Sequence, residues 1–106
     1  YLKPYKFVLG LYQGTLPCIK IEFGQGLCGQ TAEKGQTHYE NDVSRLTNYI
    51  ACHDETQAEI VVPGFKNNLV HFVLDIDSTK QDVFDDTDRQ YLEQIAGKLV
   101  EIDETL

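Results

Sequence analysis

The chain has 106 residues, 42% apolar and 25% charged, a globular balance that allows one domain with a single core and little room for a second. Its net charge of −8 at pH 7 is uneven: from Asp75 onward, ten Asp or Glu stand against Lys80, Arg89 and Lys98. So acidic a chain, with no basic stripe, repels a phosphate backbone, which excludes nucleic acid as a partner and leaves most of this charge as a solvated helix face.

Phe7 to Tyr12 (FVLGLY) predicts a strand, and Cys18 to Phe23 (CIKIEF) alternates apolar and polar residues as a second. In Gly24 to Gly35 (GQGLCGQTAEKG) the glycines permit a tight entry into a short helix over roughly Leu27 to Lys34, and Gly35 suits the stop. The loop has neither GKS/T nor GxGxxG spacing, so it reads as a structural turn that places Cys28 rather than as a phosphate cradle. A short strand around Thr37 to Tyr39 precedes a polar stretch, Asn41 to Gln57, that carries Cys52 and a helical turn near Asp42 to Asn48. Functional groups often ride on loops of this kind. Glu59 to Phe65 (EIVVPGF) and Leu69 to Asp77 (LVHFVLDID) form a hairpin, closed by Asn67-Asn68, a pair that tolerates positive φ. The last segment, Asp86 to Asp103, places Leu92, Ile95, Ala96, Leu99 and Ile102 at helical spacing behind Asp85 as N-cap. This order of elements predicts an α+β domain with a mostly antiparallel sheet.

No apolar run approaches the ~18 residues that span a bilayer, and no signal peptide is seen, so a cytoplasmic protein with no membrane association is expected. The chain starts at Tyr1 without a methionine, and a further N-terminal segment is expected to belong to it.

Three cysteines, Cys18, Cys28 and Cys52, cannot all pair within one chain. Structural zinc on Cys18, Cys28, Cys52 and His53 is disfavoured: the close-set Cys-x₂₋₄-Cys knuckle is absent, and neighbouring Cys52 and His53 point apart on a strand or diverge on a helix. No metal and no cofactor is expected. In the strand Leu69 to Asp77, Val70, Phe72, Leu74 and Ile76 share one face, while His71, Val73, Asp75 and Asp77 share the other. The two aspartates thus point the same way, ~7 Å apart. A strict two-residue turn pairs Glu59 with Ile76 and sends it to the core, whereas a one-residue bulge at Pro63-Gly64 brings it round beside Asp75. An attacking thiol, other thiols to resolve it and clustered carboxylates together suggest redox chemistry on a small polar substrate.

The segments PCIKIEFGQGLCGQTAEKGQT, NYIACHDETQAEIVVPGF and VLDIDS resemble the free methionine-(R)-sulfoxide reductases, single-domain enzymes of the GAF fold, over nearly the whole chain. The resemblance implies one GAF-like domain over residues 1–106, a central sheet flanked by helices, lacking its N-terminal helix and first strand or strands. It implies that Cys52 is the nucleophile whose thiolate attacks the sulfoxide sulfur, leaving a sulfenic acid. Cys18 is the first candidate for the resolving thiol and Cys28 the second, with the disulfide reduced by thioredoxin or an equivalent dithiol. Glu59, Asp75 and Asp77 line the pocket, bind the substrate ammonium and sulfoxide, and one of them, kept protonated, donates to the sulfoxide oxygen. Chemistry agrees, since oxygen leaves sulfur only as it is protonated and clustered carboxylates raise at least one pKa. Tyr1 alone matches the aromatic wall of the family's pocket, whose Trp has no counterpart here, and His53 stands where the family has Asp. The expected partners are the free sulfoxide and thioredoxin, with a second copy of the chain as a further candidate. The rival function is a non-catalytic GAF module that binds a small ligand, mediates dimerisation or senses redox state.

Overall fold

The computed structural model describes residues 2–3, 6–8, 10, 13, 20–22, 26–46 and 55–102. Among these, β1 (Leu2–Lys3), β2 (Lys6–Val8) and β3 (Lys20–Glu22) form one antiparallel sheet in the order β1-β2-β3. The helix α1 (Gly26–Lys34) follows, then β4 (His38–Glu40), a 3₁₀ turn at Val43–Arg45, β5 (Ala58–Lys66), β6 (Leu69–Ser78) and the helix α2 (Asp86–Ile102). The second sheet is also antiparallel, in the order β4-β5-β6. The α+β expectation holds. No helix among the described residues is long and apolar enough to cross a membrane.

Local chemistry explains the punctuation. Gly35, at φ +65°, ends α1, its N–H donating to Thr31 O at 2.9 Å, the left-handed stop that glycine adopts freely. Asn67 and Asn68 take φ of 55° and 65°, the conformation of a two-residue hairpin turn matched to the strand twist. Asp85 caps α2: its Oδ1 accepts from Asp88 N–H at 3.0 Å, and Asp88 Oδ2 accepts from Asp85 N–H at 2.9 Å, satisfying donors the helix itself leaves free.

The hairpin is bulged. Phe65 pairs with Val70 but Gly64 pairs with Phe72, so His71 is the extra residue. Of the two registers the sequence left open, the bulged one forms, but it falls one step beyond Pro63-Gly64, between Gly64 and Phe65, with its added residue on the opposite strand. A consequence escaped the sequence. Alternation put Val70 with Phe72, Leu74 and Ile76, yet the bulge turns it to the other face, where it packs with Val73 against Leu27, Cys28, Ala32 and Val61.

Both faces of this sheet are covered. On one, Ile60, Val62, Phe72 and Ala96 are buried together, with Leu92, Leu99 and Val100 of α2 packed against them. Ile95 and Ile102, expected on the apolar stripe of α2, are 48% and 74% exposed, because the sheet covers only the part of the stripe centred on Ala96. On the other face lies α1, with Leu27, Cys28 and Ala32 against Val61. That is the face that carries the acidic residues.

Candidate active site

Three side chains from three elements meet under α1. Gly26, at φ +61°, turns the chain into the helix so that Leu27, Cys28, Thr31 and Ala32 are buried. On β5, Glu59 and Val61 face α1 while Ile60 and Val62 face α2, the ordinary alternation of a strand. On β6, the bulged register places Asp77 opposite Glu59 and Asp75 opposite Val61. Glu59 therefore has Asp77 directly across and Asp75 on the diagonal, both within side-chain reach. The sequence left Glu59 either facing the core or, with a bulge, beside Asp75; the bulged register gives the second placement, with Asp77 as the direct partner.

The geometry is tight. Cys28 Sγ donates to Asp75 Oδ2 at 3.4 Å, and one ligand atom from each of Cys28, Glu59 and Asp75 lies within 4.8 Å of the others. Glu59 is 7% exposed and Cys28 7%, whereas Asp75 and Asp77 reach solvent. Burial is the main force that pushes the Glu59 carboxyl up, to about 12, with the hydrogen bond to Asp75 and the charges of Asp75 and Asp77 adding to it. Two carboxyls hydrogen-bond only if a proton lies between them, so Glu59 is the neutral partner and Asp75 the acceptor. Burial likewise raises the Cys28 thiol well above its usual range, and Asp75, Glu59 and Asp77 raise it further. A soft sulfur and two carboxylate oxygens at this spacing form a donor set for a divalent cation, which would have to displace the protons of Cys28 and Glu59.

Of the residues singled out from sequence, Glu59, Asp75, Asp77 and Cys28 come together here. Cys18, Cys52, His53 and Tyr1 lie outside the described residues. Alternation along β6 announced the carboxylates, but nothing in the sequence announced that Cys28, 47 positions away, donates to one of them. Helical spacing of Leu27, Cys28, Thr31 and Ala32 was the available signal for a sheet-facing thiol. A separate open groove of about 560 Å³ is lined by Gln36, Thr37, Pro63, Phe65 and by Arg89, Glu93 and Gly97 of α2. None of the cluster residues lines it, and Arg89 and Glu93 there already pair at 2.8 Å.

Residues 7–101 match the model of a GAF domain family. The chain is 40% identical over 90 residues to the free methionine-R-sulfoxide reductase of Saccharomyces cerevisiae, covering 84% of this chain and 50% of that protein. It superposes with a TM-score of 0.87 and 42% identity on the free methionine-R-sulfoxide reductase of Neisseria meningitidis solved in complex with its substrate, covering 92% of this chain and 57% of that one. With the type II free methionine-R-sulfoxide reductase of Thermoplasma acidophilum the TM-score is 0.87 at 33% identity, over 91% of this chain and 69% of that one. The chain spans 50–58% of the length of the curated relatives it matches. With residues 7–101 matched by sequence and the sheet and helices superposing on these relatives, the chain belongs to the GAF-domain family.

Proposed function

We propose that the protein reduces free L-methionine (R)-sulfoxide to methionine with thiols as the electron source. The observation that carries this reading is the buried, proton-bearing Glu59 held against Asp75 and Asp77, set in a fold shared with proteins named for this reaction. Cys52 attacks the sulfoxide sulfur as thiolate. The attack forms a sulfur–sulfur bond while the oxygen takes a proton from the acid; the hydroxyl then passes from the substrate sulfur to the Cys52 sulfur as that sulfur–sulfur bond breaks, which releases methionine and leaves Cys52 as a sulfenic acid. The substrate sulfur gains two electrons and Cys52 loses two. Cys18 then displaces water from that sulfenic acid to form a disulfide, which the dithiol of thioredoxin reduces.

Glu59 is the acid in this scheme. A carboxyl protonated at neutral pH donates to the leaving oxygen without needing an acidic medium, and Asp75 and Asp77, which reach solvent beside it, face the substrate ammonium. A peptide-bound methionine sulfoxide carries an amide in place of that ammonium and is refused. Recycling through thioredoxin suits a reducing compartment such as the cytoplasm.

The test is direct. Purified protein is incubated with free methionine (R)-sulfoxide and dithiothreitol, and methionine is measured; Cys52→Ser yields none even in a single turnover. Cys18→Ser completes one turnover and leaves a sulfenic acid that dimedone traps. Absence of methionine sinks the reading in favour of a non-catalytic GAF module, and equal turnover of free and peptide-bound sulfoxide sinks the assignment to the free amino acid.

A further inference from the structure

Cys28 is poorly placed for thiol exchange and well placed for another task. It sits on the sheet-facing side of α1 among Leu27, Ala32 and Val61, and the ionisable groups around it are the carboxyls of Asp75, Glu59 and Asp77. A thiol must ionise before it attacks a sulfenic acid or a disulfide, and burial of Cys28 beside three carboxyls opposes that. An S–H is nonetheless a donor, and the atom it meets, Asp75 Oδ2 at 3.4 Å, belongs to the carboxylate that also accepts the Glu59 hydrogen bond. Asp75 needs such help. It is an exposed residue on β6, and an exposed carboxylate samples several rotamers. Donors from two different elements, α1 and β5, restrict it to one.

We propose that Cys28 is a positioning residue, whose S–H holds the Asp75 carboxylate in the orientation that receives the Glu59 hydrogen bond. Glu59 thereby keeps its proton at one fixed place, on Asp75, until the sulfoxide oxygen replaces Asp75 as the acceptor. Cys18, not Cys28, is then left to resolve the sulfenic acid. The kinetic role rests on the reductase reading above; the hydrogen bond itself does not.

The experiment has two arms on the whole protein. In the first, turnover of free methionine (R)-sulfoxide is compared in Cys28→Ala and Cys28→Ser. Cys28→Ala lowers kcat about tenfold, the weight of one hydrogen bond to a charged acceptor, and Cys28→Ser, which keeps a donor, recovers most of the loss. A single turnover of Cys28→Ala without added reductant ends in disulfide, with no dimedone adduct. Equal impairment of the two variants, a dimedone adduct in both, or wild-type kcat in Cys28→Ala overturns the proposal. The second arm needs no turnover. The S–H stretching band of Cys28, isolated as the infrared difference between wild type and Cys28→Ser, appears at the hydrogen-bonded position and moves to the free position in Asp75→Ala. A free-thiol band in the wild type overturns the proposal even in an active enzyme. A bonded band in a protein that makes no methionine instead overturns the reductase reading and upholds the Cys28–Asp75 contact.

Discussion

Replacing Glu59 by Gln isolates the energetic consequence of a buried proton. Glutamine keeps the size of the side chain and an N–H to donate to Asp75, but it does not titrate. The folded carboxyl ionises near 12 and an ordinary one near 4.5, so between these values the folded chain binds a proton the unfolded chain has lost. Stability is therefore complete below about pH 4.5 and falls as pH rises toward the folded value. At pH 7 the group is still protonated in the fold, so the loss depends only on the distance from 4.5 to 7 and not on where the upper pKa lies. At ~1.36 kcal/mol per unit this is about 3 kcal/mol. Urea unfolding of wild type and Glu59→Gln at intervals from pH 4 to pH 7 measures it: the variant gains about 3 kcal/mol relative to wild type across that range. A difference that stays flat with pH means that Glu59 is ionised in the folded chain, and the acid assigned to it falls. The same substitution lowers turnover on the order of 10²-fold. More stable and less active is the pairing expected where a fold tolerates strain for function.

Gly64→Ala puts a Cβ 2.2 Å from the Phe72 ring, an overpacking that costs about 1–3 kcal/mol in urea unfolding; adding Phe72→Leu returns part of it. Asn68 holds φ at 65°, so Asn68→Ala destabilises by ~1 kcal/mol while Asn68→Gly does not, by the same measurement. Asp77→Asn keeps the shape of an exposed side chain opposite Glu59, so the circular dichroism spectrum is unchanged while turnover of the free sulfoxide drops on the order of 10²-fold.

Much of the hairpin and both helices could be read before folding. Asp85 and the spacing of Leu92, Ala96 and Leu99 announced α2, Gly35 announced the end of α1, and Asn67-Asn68 announced the turn. These signals are local. What stayed hidden depends on how elements dock. β1 is two residues long and carries no period to detect. Val70 changed face because the bulge residue is His71, whereas Pro63, which cannot donate to a ladder, had drawn attention to the other strand. The exposure of Ile95 and Ile102 follows from how far the sheet extends under α2, which no helical wheel contains. The acidic face was legible from period-2 alternation; the thiol beside it was not, because the Cys28–Asp75 contact exists only once α1 lies on the sheet. The roles of Cys18, Cys52 and Tyr1 rest on family resemblance alone.

The bulge also explains why the carboxyls are together at all. Residues paired across an antiparallel ladder share a face, so a regular hairpin would tie Glu59 to Ile76 and Ile60 to Asp75. Each pair would then set an apolar residue against an acid, and no choice of facing could bury Ile60, Val62, Leu74 and Ile76 together. One extra residue at His71 removes the conflict. Ile60 then pairs with Ile76 and Val62 with Leu74, both toward α2, and the same step forces Glu59 opposite Asp77 and Val61 opposite Asp75. The acidic face is thus a geometric corollary of a consistent core. What converts it from a wet surface into a chemical site is α1, which covers Glu59 and leaves Asp75 and Asp77 reaching solvent. Burial sorts three similar acids into one that keeps its proton and two that meet the outside, and that inequality is what an acid-assisted reduction requires.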